Sequence, residues 1–178
     1  PGRWVAEESW PSQRMHDETW FLNPAGRLGR KRDLEAAVDL DPMQTVGLSS
    51  GNWCPSGGTS PEDLKIEMAQ DQRLDDARSL TFDSEPLSAG IEMLGRARVA
   101  LELSVDRPVA FVAIRLNEVA PSGASNRVTY GILNLTHRES HENPTALEPG
   151  RRYRVEGRLD SAAHVFSAGS RIRGALST

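Results

Sequence analysis

Gly47-Leu48-Ser49-Ser50-Gly51 matches G-x-S-x-G, the pattern that in a nucleophile elbow holds a serine on a sharp strand-to-helix turn and exposes its Oγ for attack. A serine of that kind needs a base, and His137, His141 and His164 follow it in the chain. The elbow also needs a strand running in and a helix running out. Pro42 to Val46 suits a short strand, but Asn52-Trp53-Cys54-Pro55-Ser56-Gly57-Gly58 cannot start a helix. Ser49 therefore reads as a turn residue. The histidines of His137-Arg138-Glu139-Ser140-His141 invite a metal. Zinc-binding H-E-x-x-H and H-x-x-E-H motifs work because a helix brings both rings to one face. Here the order is H-x-E-x-H, after an extended run and just before Pro144, so periodicity does not make the rings converge. A surface turn is the favoured reading.

Asp71-Gln72-Arg73-Leu74-Asp75-Asp76 gathers three carboxylates around one arginine. Oxygen ligands at this density can hold calcium, but the D-x-D-x-D-G loop order is absent. Arg73 and Arg78 can pair with the carboxylates instead, giving a salt-bridged loop that fixes the start of a strand at Arg78. Trp4, Trp10, Trp20 and Trp53 all fall in the first third. Exposed indoles on a β-sandwich stack on sugar rings, whereas large aromatics ordinarily serve as core or interface anchors; spacing does not separate the two. Asn134-Leu135-Thr136 fits a glycosylation pattern but ends an apolar run, and is set aside.

The elements that must position these residues are short and extended. Tyr153, Val155, Gly157 and Leu159 alternate with Arg152, Arg154, Glu156 and Arg158, as do Val99, Leu101, Leu103 and Val105 with Ala100, Glu102 and Ser104; both are period two with one apolar face. Val109 to Leu116 is nearly continuous apolar, as in a strand covered on both faces. Arg127 to Leu135 is β-branched and aromatic-rich, and Arg171 to Thr178 reads as a further strand. Asp106-Arg107-Pro108, Ala120-Pro121-Ser122-Gly123, Asn143-Pro144 and Glu148-Pro149-Gly150 break the runs. Arg3 to Glu7, Thr19 to Leu22 and Arg78 to Phe82 suit strands, and Asp33 to Leu40 a turn or two of helix closed by Asp41-Pro42. Residues 43–77, rich in Gly, Ser, Pro and Asp, form a long excursion of the kind that is usually functional or interface-forming. The pattern predicts an all-β sandwich in a single domain, residues 1–178, with a long loop in its first half.

At 178 residues the chain is long enough for one real core, burying about 70% of its unfolded surface. With 25 acidic against 21 basic residues the net charge is −4, which disfavours a nucleic-acid binder. No apolar run approaches the ~18 residues of a membrane span. Cys54 is the single cysteine, so no internal disulfide forms. With no export leader visible either, a cytoplasmic setting is favoured. Pro1 in place of Met, and a strand pattern that runs to the last residue, predict a piece of a longer chain.

Taken in order, several stretches resemble the C-terminal domain of the cocaine esterase / X-Pro dipeptidyl-peptidase family (CocE/NonD hydrolases). They are Ser50 to Cys54, Asp71 to Leu87, Glu92 to Gly95, Val109 to Gly123, Arg127 to Glu142, Leu147 to Gly150 and Phe166 to Arg173. The chain departs from the usual closing Gly-His-Arg-Ile-Arg-Leu with Ser170 and Gly174, and has Glu118 where an aspartate is common. The resemblance implies a jelly-roll of galactose-binding-like type. It also implies a catalytic α/β-hydrolase domain, N-terminal to these residues in the same polypeptide, that holds the whole serine–aspartate–histidine triad. No catalytic residue, cofactor or metal is then expected here. The expected role is to pack on that domain and support it, with the contact placed on the long loop at Trp53, Asp71, Arg73, Asp75 and Asp76. A stand-alone carbohydrate-binding module is the alternative, and autonomous hydrolysis through Ser49 a third.

Overall fold

Strict alternation of apolar and charged residues is what lets a strand cover a core with one face and meet water with the other. In the computed structural model this pattern produces the two longest strands of the molecule. The structure describes residues 2–41, 43–52, 60, 62 and 68–178. Among these, the chain forms β1 (Phe21–Asn23), β2 (Arg27–Gly29), a single helical turn α1 (Arg73–Asp76), β3 (Leu80–Asp83), β4 (Ile91–Leu103), β5 (Phe111–Val119), β6 (Ser125–Asn134), β7 (Tyr153–Phe166) and β8 (Arg171–Ser177). One sheet runs β1-β2-β3-β8-β5-β6; facing it, β4 and β7 pair antiparallel. The chain thus passes from the large sheet to the small one at β4 and again at β7. Crossings of this kind, rather than hairpins alone, are what jelly-roll wiring requires.

The core lies between the sheets. Tyr153, Val155 and Leu159 of β7 meet Val112 and Ile114 of β5, Ile172 and Leu176 of β8, Phe82 of β3, and Leu135 and Leu147 from the connections. Two glycines let the sheets approach. A Cβ at Gly131 of β6 would lie 2.2 Å from the Arg158 carbonyl oxygen of β7, and one at Gly157 would lie 2.4 Å from Ile114 Cδ1. At the same crossing Thr129 Oγ1 donates to the Asp160 carbonyl at 2.7 Å.

The N-terminal expectations fare differently. Arg3 to Glu7 forms no strand and Asp33 to Leu40 no helix. Leu34 and Val38 face solvent and Leu40 alone of the segment packs on the core, so no apolar stripe is seated on a partner, and eight residues are too few to hold a helix in water without one. The run from Val109 is covered on both faces only in part: Val109 and Phe111 are half-exposed. Beyond Ile114 the second face of β5 is covered by polar groups rather than by a second apolar layer.

Candidate functional site

Val112 and Ile114 point into the core, so the alternate residues Arg115 and Asn117 stand on the outer face of the large sheet. Arg173 of β8 is paired with Asn117 across the ladder, and Asp83 of β3 with Arg173. Three neighbouring strands thus place two guanidiniums, an amide and a carboxylate on one patch. Residues 68–77 lie over that patch and set α1 onto it. Asp76, at the end of α1, becomes the hub. Its Oδ1 accepts from Arg115 Nη2 at 3.1 Å and Asn117 Nδ2 at 3.0 Å. Its Oδ2 accepts from Ser125 Oγ at 2.6 Å and Arg173 Nη1 at 3.0 Å. Arg173 also grips Asp83 with two bonds of 2.6 Å. That bidentate pairing, the strongest geometry open to arginine, together with Asp76 holds its guanidinium ionised above the ordinary arginine value against the cost of burial.

Asp75 is wholly buried beside Asp76, 3.8 Å from Arg115 Nη1. Its Oδ2 accepts the Ser49 backbone N–H at 3.1 Å. The Ser49 carbonyl in turn accepts from Gln72 Nε2 at 2.7 Å and from the Gln70 N–H at 3.0 Å. Ser49 is therefore a clamped turn residue: no strand enters the turn and no helix leaves it among the described residues. The histidines find other company. His164 bonds Glu118 at 2.9 Å, and His137 and His141 lie ring to ring at 5.4 Å. Among the described residues no group of three or more His, Cys, Asp or Glu side chains is placed to hold a metal ion. At Asp76 the positive charge comes from Arg115 and Arg173.

Of the residues expected to make an inter-domain contact, Asp71 and Arg73 pair at the surface at 2.8 Å. Burial opposes the Asp71 charge, but the N–H groups of Ser125 and Arg73 and the Arg73 side chain outweigh it and hold the carboxyl below its usual range. Asp75 and Asp76 face inward and spend their bonds inside the domain; Leu48 and Leu74 face out. Trp53 lies outside the described residues. Sequence reasoning placed the acidic loop but paired it with Arg73 and Arg78. The partners that matter, Arg115, Asn117 and Arg173, were missed. The available signal was one arginine inside the apolar run Val109 to Leu116.

Trp20 is half-buried against the core, with the Arg30 guanidinium 3.9 Å above its ring. Trp4 and Trp10 project into solvent.

The chain matches, over residues 1–178, the family model described as the X-Pro dipeptidyl-peptidase C-terminal non-catalytic domain. Over 93 residues it is 29% identical to cocaine esterase from Rhodococcus sp. (strain MB1 Bresler), covering 52% of this chain and 16% of the esterase. Two solved structures share the fold. An aminopeptidase from a marine sediment Thaumarchaeota archaeon superposes with a TM-score of 0.79 at 19% identity, over 98% of this chain and 31% of its own. An alpha-amino acid ester hydrolase gives 0.72 at 20% identity, over 90% and 28%. A CocE/NonD family hydrolase from Staphylococcus aureus matches 58% of this chain and 23% of its own, with a TM-score of 0.53 at 17% identity. The chain thus spans under a third of the length of each of these relatives. Its strand order, its clamped serine turn and the family match over all 178 residues agree, and the chain belongs to the X-Pro dipeptidyl-peptidase C-terminal non-catalytic domain family.

Proposed function

We propose that these residues are the accessory domain of a serine hydrolase of the X-Pro dipeptidyl-peptidase or acyl-esterase type, packing on a catalytic α/β-hydrolase domain of the same polypeptide. The observation that carries this reading is the match of all 178 residues to a domain described as C-terminal and non-catalytic. The geometry at Ser49 supports it, since the turn is fixed by its backbone rather than strained to expose a nucleophile. In the whole enzyme a serine elsewhere would be acylated and then released by water through its histidine.

The domain's part is mechanical. The ionic cluster ties α1 and the Ser49 turn to three strands of the large sheet, so that Leu48, Arg73 and Leu74 are presented outward on a stiff base. These exposed residues form one contact with the catalytic domain; Asp71, Asp75 and Asp76 brace it from behind.

The test is a fluorophosphonate probe applied to the full-length polypeptide, followed by peptide mapping. Label on a serine outside these 178 residues is expected. Label on Ser49 would overturn the reading and restore the autonomous hydrolase. The carbohydrate-binding alternative draws on the exposed Trp4 and Trp10, and a tryptophan-fluorescence titration with a sugar panel decides it. No response removes it.

A further inference from the structure

Among the described residues, two tryptophans stand in solvent before the sandwich begins. Trp4 is 103% exposed and Trp10 69%, beside Val5 and Met15. They belong to an arm, residues 2–17, that contributes no strand and buries only Ser12. The arm is nonetheless shaped. Ser12 Oγ donates to Glu7 at 2.7 Å and accepts the Arg14 N–H at 3.2 Å, the Met15 N–H closes a turn on the Ser12 carbonyl, and Arg14 pairs with Glu7. Arg3 is tied to Glu92 on β4. These bonds pair Arg3, Glu7 and Arg14 within the domain and shape the chain around Trp10, while both indoles stay in solvent. Large rigid aromatics held in this way are the usual anchors of protein interfaces.

We infer that Trp4 and Trp10 are a two-point anchor that docks this domain onto the catalytic domain of the same polypeptide, in apolar recesses on that domain's surface. This rests on the accessory-domain reading above. The occupant follows from position: a domain described as C-terminal follows the catalytic part of its chain, and the arm lies on the N-terminal side of β1. The related chains of known structure are more than three times as long as the part this chain covers, so a neighbour of ample size stands there. Covalent linkage raises the local concentration of that neighbour, so two indoles suffice without a large interface.

Hydroxyl-radical footprinting of the full-length polypeptide, native and in urea, reads both indoles without any substitution. Both are expected to be protected in the native state at every protein concentration and without added ligand. Reactivity equal to that in urea overturns the inference. So does protection that appears only as protein concentration rises, which makes a second copy the occupant, or only with added oligosaccharide. Trp10→Ala should loosen its fellow anchor: a hot-spot truncation shifts the docking equilibrium roughly 30-fold, exposing Trp4 to oxidation. Unchanged protection of Trp4 breaks the two-point account. Failure here is distinct from failure of the accessory reading. Reactive indoles with probe label outside residues 1–178 remove only the docking, whereas label on Ser49 removes the reading on which it rests.

Discussion

Asp76 is worth more to this domain than its place in a polar loop suggests. It is nearly inaccessible and satisfies Arg115, Asn117, Ser125 and Arg173 at once. Removing one partner of a buried ion pair costs about 3–5 kcal/mol, because the survivors stay desolvated. Asp76→Ala is expected to fall in that range: Arg173 keeps Asp83, but Arg115 is left with Asp75 and the Ser79 hydroxyl, and Asn117 with Ser125. Arg73→Ala breaks an exposed pair and should cost about 0–1 kcal/mol. Urea denaturation of the two variants separates them; equal losses would mean that the cluster is not what holds the loop. The contrast also shows what could be read from sequence. The acidic run was legible because its residues adjoin. Its partners lie 39 to 97 residues away, and only the fold brings them together. Arg115 was visible in principle, as a charge inside an apolar strand, which is tolerated only when something buried answers it.

At the scale of elements, the decisive contacts are those between the facing sheets. The alternation in β4 and β7 was legible because a two-sided strand writes its burial into every second residue. The crossing with β6 was not, since a glycine in a strand marks close approach without naming the neighbour. Gly131→Ala would drive a methyl group into the Arg158 carbonyl, a backbone atom that cannot step aside. Gly157→Ala meets only the end of the Ile114 side chain. Overpacking costs roughly 1–3 kcal/mol, and thermal unfolding should put Gly131→Ala at or above the top of that range and Gly157→Ala near the bottom. The reverse order would mean that the sheets do not meet as described. A second inter-sheet link is a hydrogen-bonded carboxylate. Burial works against the charge on Glu118 of β5, but the Ser167 N–H, His164 of β7 and the Ser170 hydroxyl outweigh it and hold its carboxyl below the usual value of 4.5. A depressed carboxylate stabilises the fold above its unfolded pKa, and the contribution fades as pH falls through the depressed one. The destabilisation caused by Glu118→Gln should therefore be largest near neutrality and shrink below about pH 4.5. A gap between variant and parent that is constant from pH 7 to pH 3 counts against the link.

Over the whole molecule, order in sequence and order in structure run against each other. The first strands to appear, β1 and β2, lie at the margin of the large sheet, and the arm before them adds no strand to either sheet. The last strand, β8, lies between β3 and β5 and is hydrogen-bonded on both sides. Ile172 and Leu176 enter the core from it and Arg173 enters the ionic cluster. Burying two such side chains is worth roughly 3–6 kcal/mol by itself, a large share of the 5–15 kcal/mol by which a domain is usually stable, before the two ladders and the arginine are counted. Loss of residues 171–178 splits the large sheet into halves that cannot close on each other. Loss of residues 2–17 removes two interface anchors and no core. In the full-length polypeptide, deleting 171–178 is expected to abolish protease resistance across the sandwich. Deleting 2–17 should leave the sandwich resistant while loosening it from its neighbour. Limited proteolysis with mass-spectrometric mapping reads both. A sandwich that survives without β8, or collapses without the arm, would show that its stability is not organised around the central strand.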